Sequence, residues 1–496
     1  MSRPVACAHR RARVSARVSI AAAALACGAC TLGPDYVRPD VSVPDTYRFA
    51  SETDAAMPAA TPTDSAYWWA QIGDPVLDGL IATARANNRD VLIAAARVEE
   101  YYGRVMVARS GLFPQVGAEF GGGRQRVSAS GGSVVPIDNP FNQVRIDAFA
   151  SWEIDMFGRV RRLTEAARAE WAASEQARRS TEISVVASVA SAYVTLRDLD
   201  NRLRIAQDTL RSRADALEVF RDRFQGGVVS EVEYSQSRSE YASAQVSVEQ
   251  FQQQVALQEN LLAGLLGENP RDMPRGKEIG DLVLPTVPVG LPSSLLEQRP
   301  DLLLAEQNLV AANARIGAAR AEYFPTISLT GLFGAASTAL SGLWVGSART
   351  WSFGGLISVP IFTGGAIAGD VKQAEARQAQ ALLSYQQSVQ TAFREVADAL
   401  VSAQRTRGQL IAKNEQVDAL SRYALLARDR YEGGYTSYLE VLDSERALFS
   451  AQLDQSSLLS AEFGQLIQLY KALGGGWPVG PGAQAQLDTL SGAIKE

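Results

Sequence analysis

Two stretches of about 67 residues, Arg159–Gln225 and residues 365–432, contain no proline, and each closes on a glycine pair, Gly226-Gly227 and Gly433-Gly434. At about 1.5 Å per residue, each predicts a helix on the order of 100 Å long, several times an ordinary globular helix. In the first stretch Leu196, Leu199, Leu203, Ala206 and Leu210 step by three and four; past Arg213 the step resumes with Leu217, Phe220 and Phe224. Leu410, Val417, Leu420, Ala424, Ala427 and Tyr431 repeat it in the second. This is a 3.5-residue period, the seam of a coiled coil.

The rods belong to a duplicated unit. Asp90, Leu92, Arg104, Ala108, Arg109, Phe113 and Pro114 recur 211 positions later as Asp301, Leu303, Arg315, Ala319, Arg320, Phe324 and Pro325. Beyond them the offset becomes 207, so that 221–227 returns as 428–434 and Leu266-Gly267 as Leu473-Gly474. Identities at fixed offsets mark an internal repeat, and a change of four fits in a loop. The expected organisation is a first repeat at 75–268, a Pro/Gly-rich linker at 269–292, a second repeat at 293–477 and a disordered tail at 478–496. Each repeat reads as helix, strand, strand, very long helix, double-glycine turn and a helix half as long. The first helix is expected to run from Pro75 to Leu112.

Between the helices the period changes to two. Val144, Ile146, Ala148, Ala150, Trp152, Ile154 and Met156 share one face, and Arg145, Asp147, Phe149, Ser151, Glu153 and Asp155 the other. Trp351, Phe353, Ile357, Val359 and Ile361 oppose Ser352, Ser358 and Pro360, and two partner strands carry Val116, Ala118 and Phe120, and Ile327, Leu329 and Phe333. An apolar row against a polar row over ten residues is the pattern of a transmembrane β-strand, although a soluble half-buried sheet also produces it. Four strands cannot close a barrel, and an open sheet edge cannot sit in lipid. Several copies must therefore pool their strands, and three would supply twelve.

The N-terminus places the chain outside the cytoplasm. Arg3, Arg10, Arg11, Arg13 and Arg17 precede a short apolar run, and Gly28-Ala29 precede Cys30. This predicts a signal peptide over 1–29, with Cys30 as the acylated first residue; Cys27, after Ala24-Leu25-Ala26, is the competing site, and a secreted protein with an incidental cysteine is the bland reading. A proline-rich, extended segment follows over 30–74 and should lie along a surface. Trp68 and Trp69 are expected to pack on the helices; Trp152, Trp344 and Trp351 suit a membrane-interface belt. No later run of 18 apolar residues exists, which removes a transmembrane helix.

Chemistry is sparse. Cys7, His9 and Cys27 fall in the first thirty residues and His9 is the only histidine, so the rest offers no His/Cys metal site. No serine elbow or dinucleotide fingerprint occurs, and Gly474-Gly475-Gly476 lacks the Lys-Ser/Thr of a phosphate loop. No enzyme, cofactor or bound metal is expected, and a net charge of -6 gives no basic face for nucleic acid.

Five segments carry a resemblance: Cys30-Thr-Leu-Gly-Pro-Asp-Tyr-Val-Arg-Pro39, Arg299-Pro-Asp-Leu302, Ala321-Glu-Tyr-Phe-Pro-Thr-Ile327, Pro360-Ile-Phe-Thr-Gly-Gly365 and Tyr431-Glu-Gly-Gly-Tyr-Thr-Ser-Tyr-Leu-Glu-Val-Leu-Asp443. Through them the chain resembles the TolC-like outer-membrane factors, in their lipidated NodT-type branch, from Cys30 to Trp477. The resemblance implies an α+β membrane protein. It would be a homotrimer with a 12-stranded transmembrane β-barrel, four strands per chain, continuous with a long periplasmic α-helical coiled-coil barrel. Such a duct carries drugs or other small molecules outward from an inner-membrane pump of the resistance-nodulation-division type through a periplasmic adaptor. Metal-ion efflux by the same channel, or a periplasmic coiled-coil scaffold, are the alternatives. The resemblance places a periplasmic gate at Leu439 as an apolar plug and Asp443 as an acidic ring, with Glu440 and Glu233 nearby and Tyr431 as a latch contact. It places adaptor contact at the hairpin tips, Gly226, Gly227, Val228, Gly433, Gly434 and Tyr435. Thr436 stands where the enteric type has a latch arginine. Read without the resemblance, Glu440 and Asp443 are acids near a helix N-terminus, where the dipole favours them.

Overall fold

The structure, a computed structural model, describes residues 31–49, 67–128, 130, 138–285 and 295–475. Cys30, the signal peptide and the 478–496 tail lie outside these residues. The chain forms two compact units: Met1–Asp40, Val98–Ala173 and Ala305–Tyr385 in one, and Val41–Arg97, Ser174–Leu304 and Gln386–Glu496 in the other.

The first unit contains one antiparallel sheet in the order β1-β2-β3-β4, with β1 at Gln115–Gln125, β2 at Phe141–Ile154, β3 at Thr326–Ser337 and β4 at Arg349–Ser358. The β2–β3 pairing joins the two repeats, from Val144↔Ser337 to Ile154↔Ile327. The registers align Val116, Ala150, Gly331 and Phe353 in one row, and Ala118, Ala148, Phe333 and Trp351 in the next. One face is therefore a continuous apolar band, and it is bare: Val116 is 78% exposed, Trp351 69% and Phe353 82%. On the other face Arg145 pairs with Glu119 at 2.8 Å and lies 3.7 Å from Asp147. β1 and β4 each pair on one side only, leaving two open edges.

The strands are shorter than their alternation. Val359 and Ile361 fall beyond β4, which ends at Ser358 because Pro360 has no N–H to continue the ladder. Asp155 and Met156 likewise leave β2. Asp155 is a helix cap rather than a member of the strand's polar face, its carboxylate accepting from the N–H groups of Val160 at 3.0 Å and Arg161 at 2.8 Å. Glu153 is held by Arg159 at 2.9 Å.

The N-terminal strap is fastened to this unit. Arg162 donates to the Leu32 carbonyl at 3.1 Å and to Asp35 at 2.7 Å, Asn313 to the Pro34 carbonyl at 2.8 Å, and Tyr36 to Glu306 at 3.1 Å. Gly33 sits at φ 96°, where a Cβ would come within 2.4 Å of the Gly317 Cα. Only glycine allows that approach, which accounts for the Leu32-Gly33-Pro34 signature.

The helices begin as α1, Pro75–Asn87, and α2, Arg89–Ser110. The single helix expected over 75–112 is broken at Asn88, whose side chain accepts from the N–H groups of Asp90 and Val91, capping α2. Then come α3 (Arg159–Gln225), α4 (Glu231–Leu265), the short α5 (Leu295–Gln298), α6 (Pro300–Ala321), α7 (Ala366–Glu432) and α8 (Tyr438–Ala472). Both rods are 67 residues long, and the helices after them 35.

In the second unit the seam reads as expected: Leu199, Leu203, Ala206 and Leu210 pack with Val248, Phe251, Phe449 and Leu453. Trp68 and Trp69 join a larger core with Leu77, Ile81, Val189, Leu196, Leu262 and Phe463, and Trp68 stacks on Tyr470 at 4.9 Å. Asp74 caps α1 through the Val76 N–H at 2.9 Å. It also accepts from the Tyr193 hydroxyl at 2.6 Å and the Lys277 N–H at 3.0 Å, which ties the start of the linker down.

Candidate gate at the double-glycine turns

All of the gate and tip residues expected from the sequence lie in the second unit, at the turns α3–α4 and α7–α8. Each turn is built from one motif. The Val228 N–H bonds to the Arg223 carbonyl at 2.8 Å and the Gly227 N–H to Phe224 at 2.9 Å; Tyr435 to Arg430 at 2.8 Å and Gly434 to Tyr431 at 3.0 Å repeat it. This Schellman pattern needs a left-handed residue at one position. Gly227 (φ 70°) and Gly434 (φ 74°) supply it. Gly226 and Gly433 do not, so one glycine of each pair, not both, is required by backbone conformation. Val228 is 74% exposed and Tyr435 81%.

Behind the turns the two hairpins share a small core of Phe220, Ala427, Tyr438, Val441 and Leu442. Tyr438 meets Phe220 at 4.1 Å between ring centroids, and burial pushes its hydroxyl pKa up to about 12. Tyr431 packs at 5.4 Å from Tyr438, and its hydroxyl accepts from Arg223 at 3.3 Å. Tyr431 thus bonds across to the first hairpin, through Arg223.

The four residues expected at the gate divide by environment. Leu439 is 56% exposed, and Asp443 is exposed and forms no hydrogen bond or ion pair among the described residues. Glu440 is occupied, accepting from Thr436 and paired with Arg430 at 3.3 Å. Glu233 is occupied too, closing a capping box with Ser230, whose N–H it accepts at 2.9 Å. Leu439 and Asp443 make no bond of this kind, whereas Glu440 and Glu233 bond within the turns.

One constellation was missed. Glu240 on α4 is 8% exposed and lies 2.9 Å from Arg213 of α3, itself 7% exposed. From the second hairpin, Arg446 of α8 donates to the same carboxylate at 2.8 Å through Nε. Glu240 first, and Asp443 beside it, hold the Arg446 pKa above the ordinary guanidinium value. A buried pair of this kind is costly to break, because removing one partner strands the other charge. The signal was present in the sequence: Arg213 interrupts the 3.5-residue seam, and a charge in a seam needs a partner.

The comparisons agree on one family. The family model described as outer membrane efflux protein matches residues 80–268 and 291–475. The toluene efflux pump outer membrane protein TtgC of Pseudomonas putida is 38% identical over 490 residues, covering 96% of this chain and 99% of the relative. The cation efflux system protein CusC of Escherichia coli is 36% identical over 456 residues, covering 92% and 97%. The crystal structure of the open state of the Neisseria gonorrhoeae MtrE outer membrane channel superposes with a TM-score of 0.76 at 33% identity, covering 90% of this chain and 99% of that one.

Proposed function

Because this chain belongs to the outer membrane efflux protein family, we propose that three copies of it close a twelve-stranded barrel in the outer membrane and gate it at the double-glycine turns. The chain is the outer-membrane exit channel of an efflux system. The observation that carries the trimer is the sheet itself: four strands, an apolar face exposed to 82% at Phe353, and an unpaired edge on both β1 and β4. Lipid cannot satisfy those edges, so copies of the chain must.

The periplasmic adaptor contacts Val228 and Tyr435 at the two tips, and an inner-membrane pump of the resistance-nodulation-division type loads the duct. Closure combines three Leu439 side chains, which exclude water, with three Asp443 carboxylates, which attract cations and repel anions. Arg223–Tyr431 and the Arg213–Glu240–Arg446 cluster hold the hairpins together at rest. Opening separates them.

Cys30 is acylated. The strap supports this: Thr31 lies against Gly158, between the end of β2 and the start of α3, at the helix-side end of the sheet. Small organic molecules such as drugs or solvents are the cargo. Metal ions are the second reading, favoured by the relative named for cation efflux. Deleting the gene and profiling susceptibility to antibiotics, solvents and metals tests the assignment. Loss of resistance to organic compounds supports the first reading, loss of metal resistance alone supports the second, and an unchanged profile rejects both.

A further inference from the structure

The sheet has two kinds of end. Gln115, Ile154, Thr326 and Ser358 are the ends nearest the helices; the other four are joined by loops between Gln125 and Phe141 and between Ser337 and Arg349. On the proposed channel, on which this inference rests, the loop end faces the exterior.

Charge is distributed unevenly over that end. Arg124, Arg126 and Arg349 lie there, Asp138 is the only acid between 125 and 141, and 338–348 carries no charge at all. The chain as a whole is acidic, with a net charge of -6, so this is a local inversion. Register fixes the face. Arg124 shares the row of Val116, Ala118 and Phe120, and Arg349 that of Trp351, Phe353 and Ile357. They are the only charged residues on the apolar face of the four strands, and both stand at its outer end.

Arg124, Arg126 and Arg349 are exposed and form no ion pair or hydrogen bond among the described residues. Arg145, on the opposite face, pairs with Glu119. The contrast is between a lumen-side cation neutralised within the chain and rim cations left for something outside it. Trp344, 81% exposed in the loop leading to Arg349, gives the rim an aromatic flank of the kind found at membrane interfaces.

Closure sharpens the pattern. Arg124 lies on β1 and Arg349 on β4, the two edge strands, so each seam sets Arg349 of one copy on the strand beside Arg124 of the next. Like charges on neighbouring strands repel, and an anion between them reverses the sign. At the outer end of a lipid-facing band, the anion of matching chemistry and height is a phosphate on a membrane headgroup.

We propose that Arg124, Arg126 and Arg349 form a phosphate-binding rim that holds phosphorylated glycolipid headgroups of the outer leaflet, one cluster at each seam between copies. The arginines act as bidentate donors to phosphate oxygens, while Trp344 and the apolar band contact the sugar and acyl parts.

Native mass spectrometry of the detergent-purified complex, titrated with bisphosphorylated lipid A or the same lipid without phosphates, tests this. About tenfold tighter retention of the phosphorylated lipid is expected, since a charge-assisted hydrogen bond contributes on that scale. The preference should vanish in Arg124→Gln/Arg349→Gln and persist in Arg145→Gln. Equal retention of both lipids by the wild-type trimer overturns the proposal without any variant. So does an undiminished preference in the double variant, or release of the lipid by a soluble acidic peptide at equal charge. If no trimer forms, the seams do not exist, and both the channel reading and this one fail. A trimer indifferent to phosphate sinks only the rim.

Discussion

Arg446 on α8 and Glu240 on α4 meet at 2.8 Å, joining the second hairpin to the first through a carboxylate that already holds the buried Arg213. Replacing Glu240 by Ala leaves Arg213 uncompensated in a site only 7% exposed, a loss on the order of 3–5 kcal/mol for such pairs. The expected result is a channel with higher resting conductance in planar bilayers and a lower unfolding temperature. Resting conductance equal to wild type would remove this cluster from the closing mechanism.

Leu439→Ala and Asp443→Ala test the plug and the ring separately. The first should widen the resting pore without changing its ion preference. The second should lower cation preference, because three carboxylates near an axis favour cations. Single-channel recordings with a salt gradient read both quantities, and variants indistinguishable from wild type in both would place the gate elsewhere.

Gly434→Ala forces a side chain into the left-handed region at φ 74°, costing about 1–2 kcal/mol. The α7–α8 turn should open locally and adaptor crosslinking at Tyr435 should fall. Gly433→Ala acts differently, since its Cβ would meet the Tyr435 ring at 2.9 Å without backbone strain. Differential hydrogen exchange over residues 429–438 distinguishes the two, with faster exchange expected mainly in Gly434→Ala.

Glu462 on α8 is 6% exposed, and burial raises its pKa, with Arg407 partly offsetting the effect. A carboxyl whose folded pKa exceeds its unfolded value favours folding below the unfolded value and loses that contribution as pH rises through the folded value. Glu462→Gln should therefore raise the melting temperature relative to wild type at pH 8, and by much less near pH 4. A difference independent of pH contradicts the burial argument.

Much of this architecture was legible because its signals are periodic. The 3.5-residue seam gave both rods and the alternation gave all four strands. The repeat offsets foretold a doubled structure, now visible where Asn88 donates to the Leu265 carbonyl and Arg299 to that of Ala472, each at 2.8 Å. What stayed hidden was local polar bonding. Nothing periodic marks Asn88 as a cap within a helical pattern, and Asp155 continues the strand alternation while its carboxylate binds the next helix. Ser230 and Glu233 do have capping-box spacing, and the structure forms that box. Glu240 and Arg446 are ordinary charges on exposed-looking helix positions; only the fold brings them to Arg213.

The central claim is that this chain owns a third of a barrel wall. Native mass spectrometry of the outer-membrane protein in detergent, before and after heating, tests it most directly. The account predicts a complex of three chains that migrates as a heat-modifiable trimer and falls to single chains on boiling. A water-soluble single chain released from membranes by salt, its sheet edges satisfied without other copies, would contradict it.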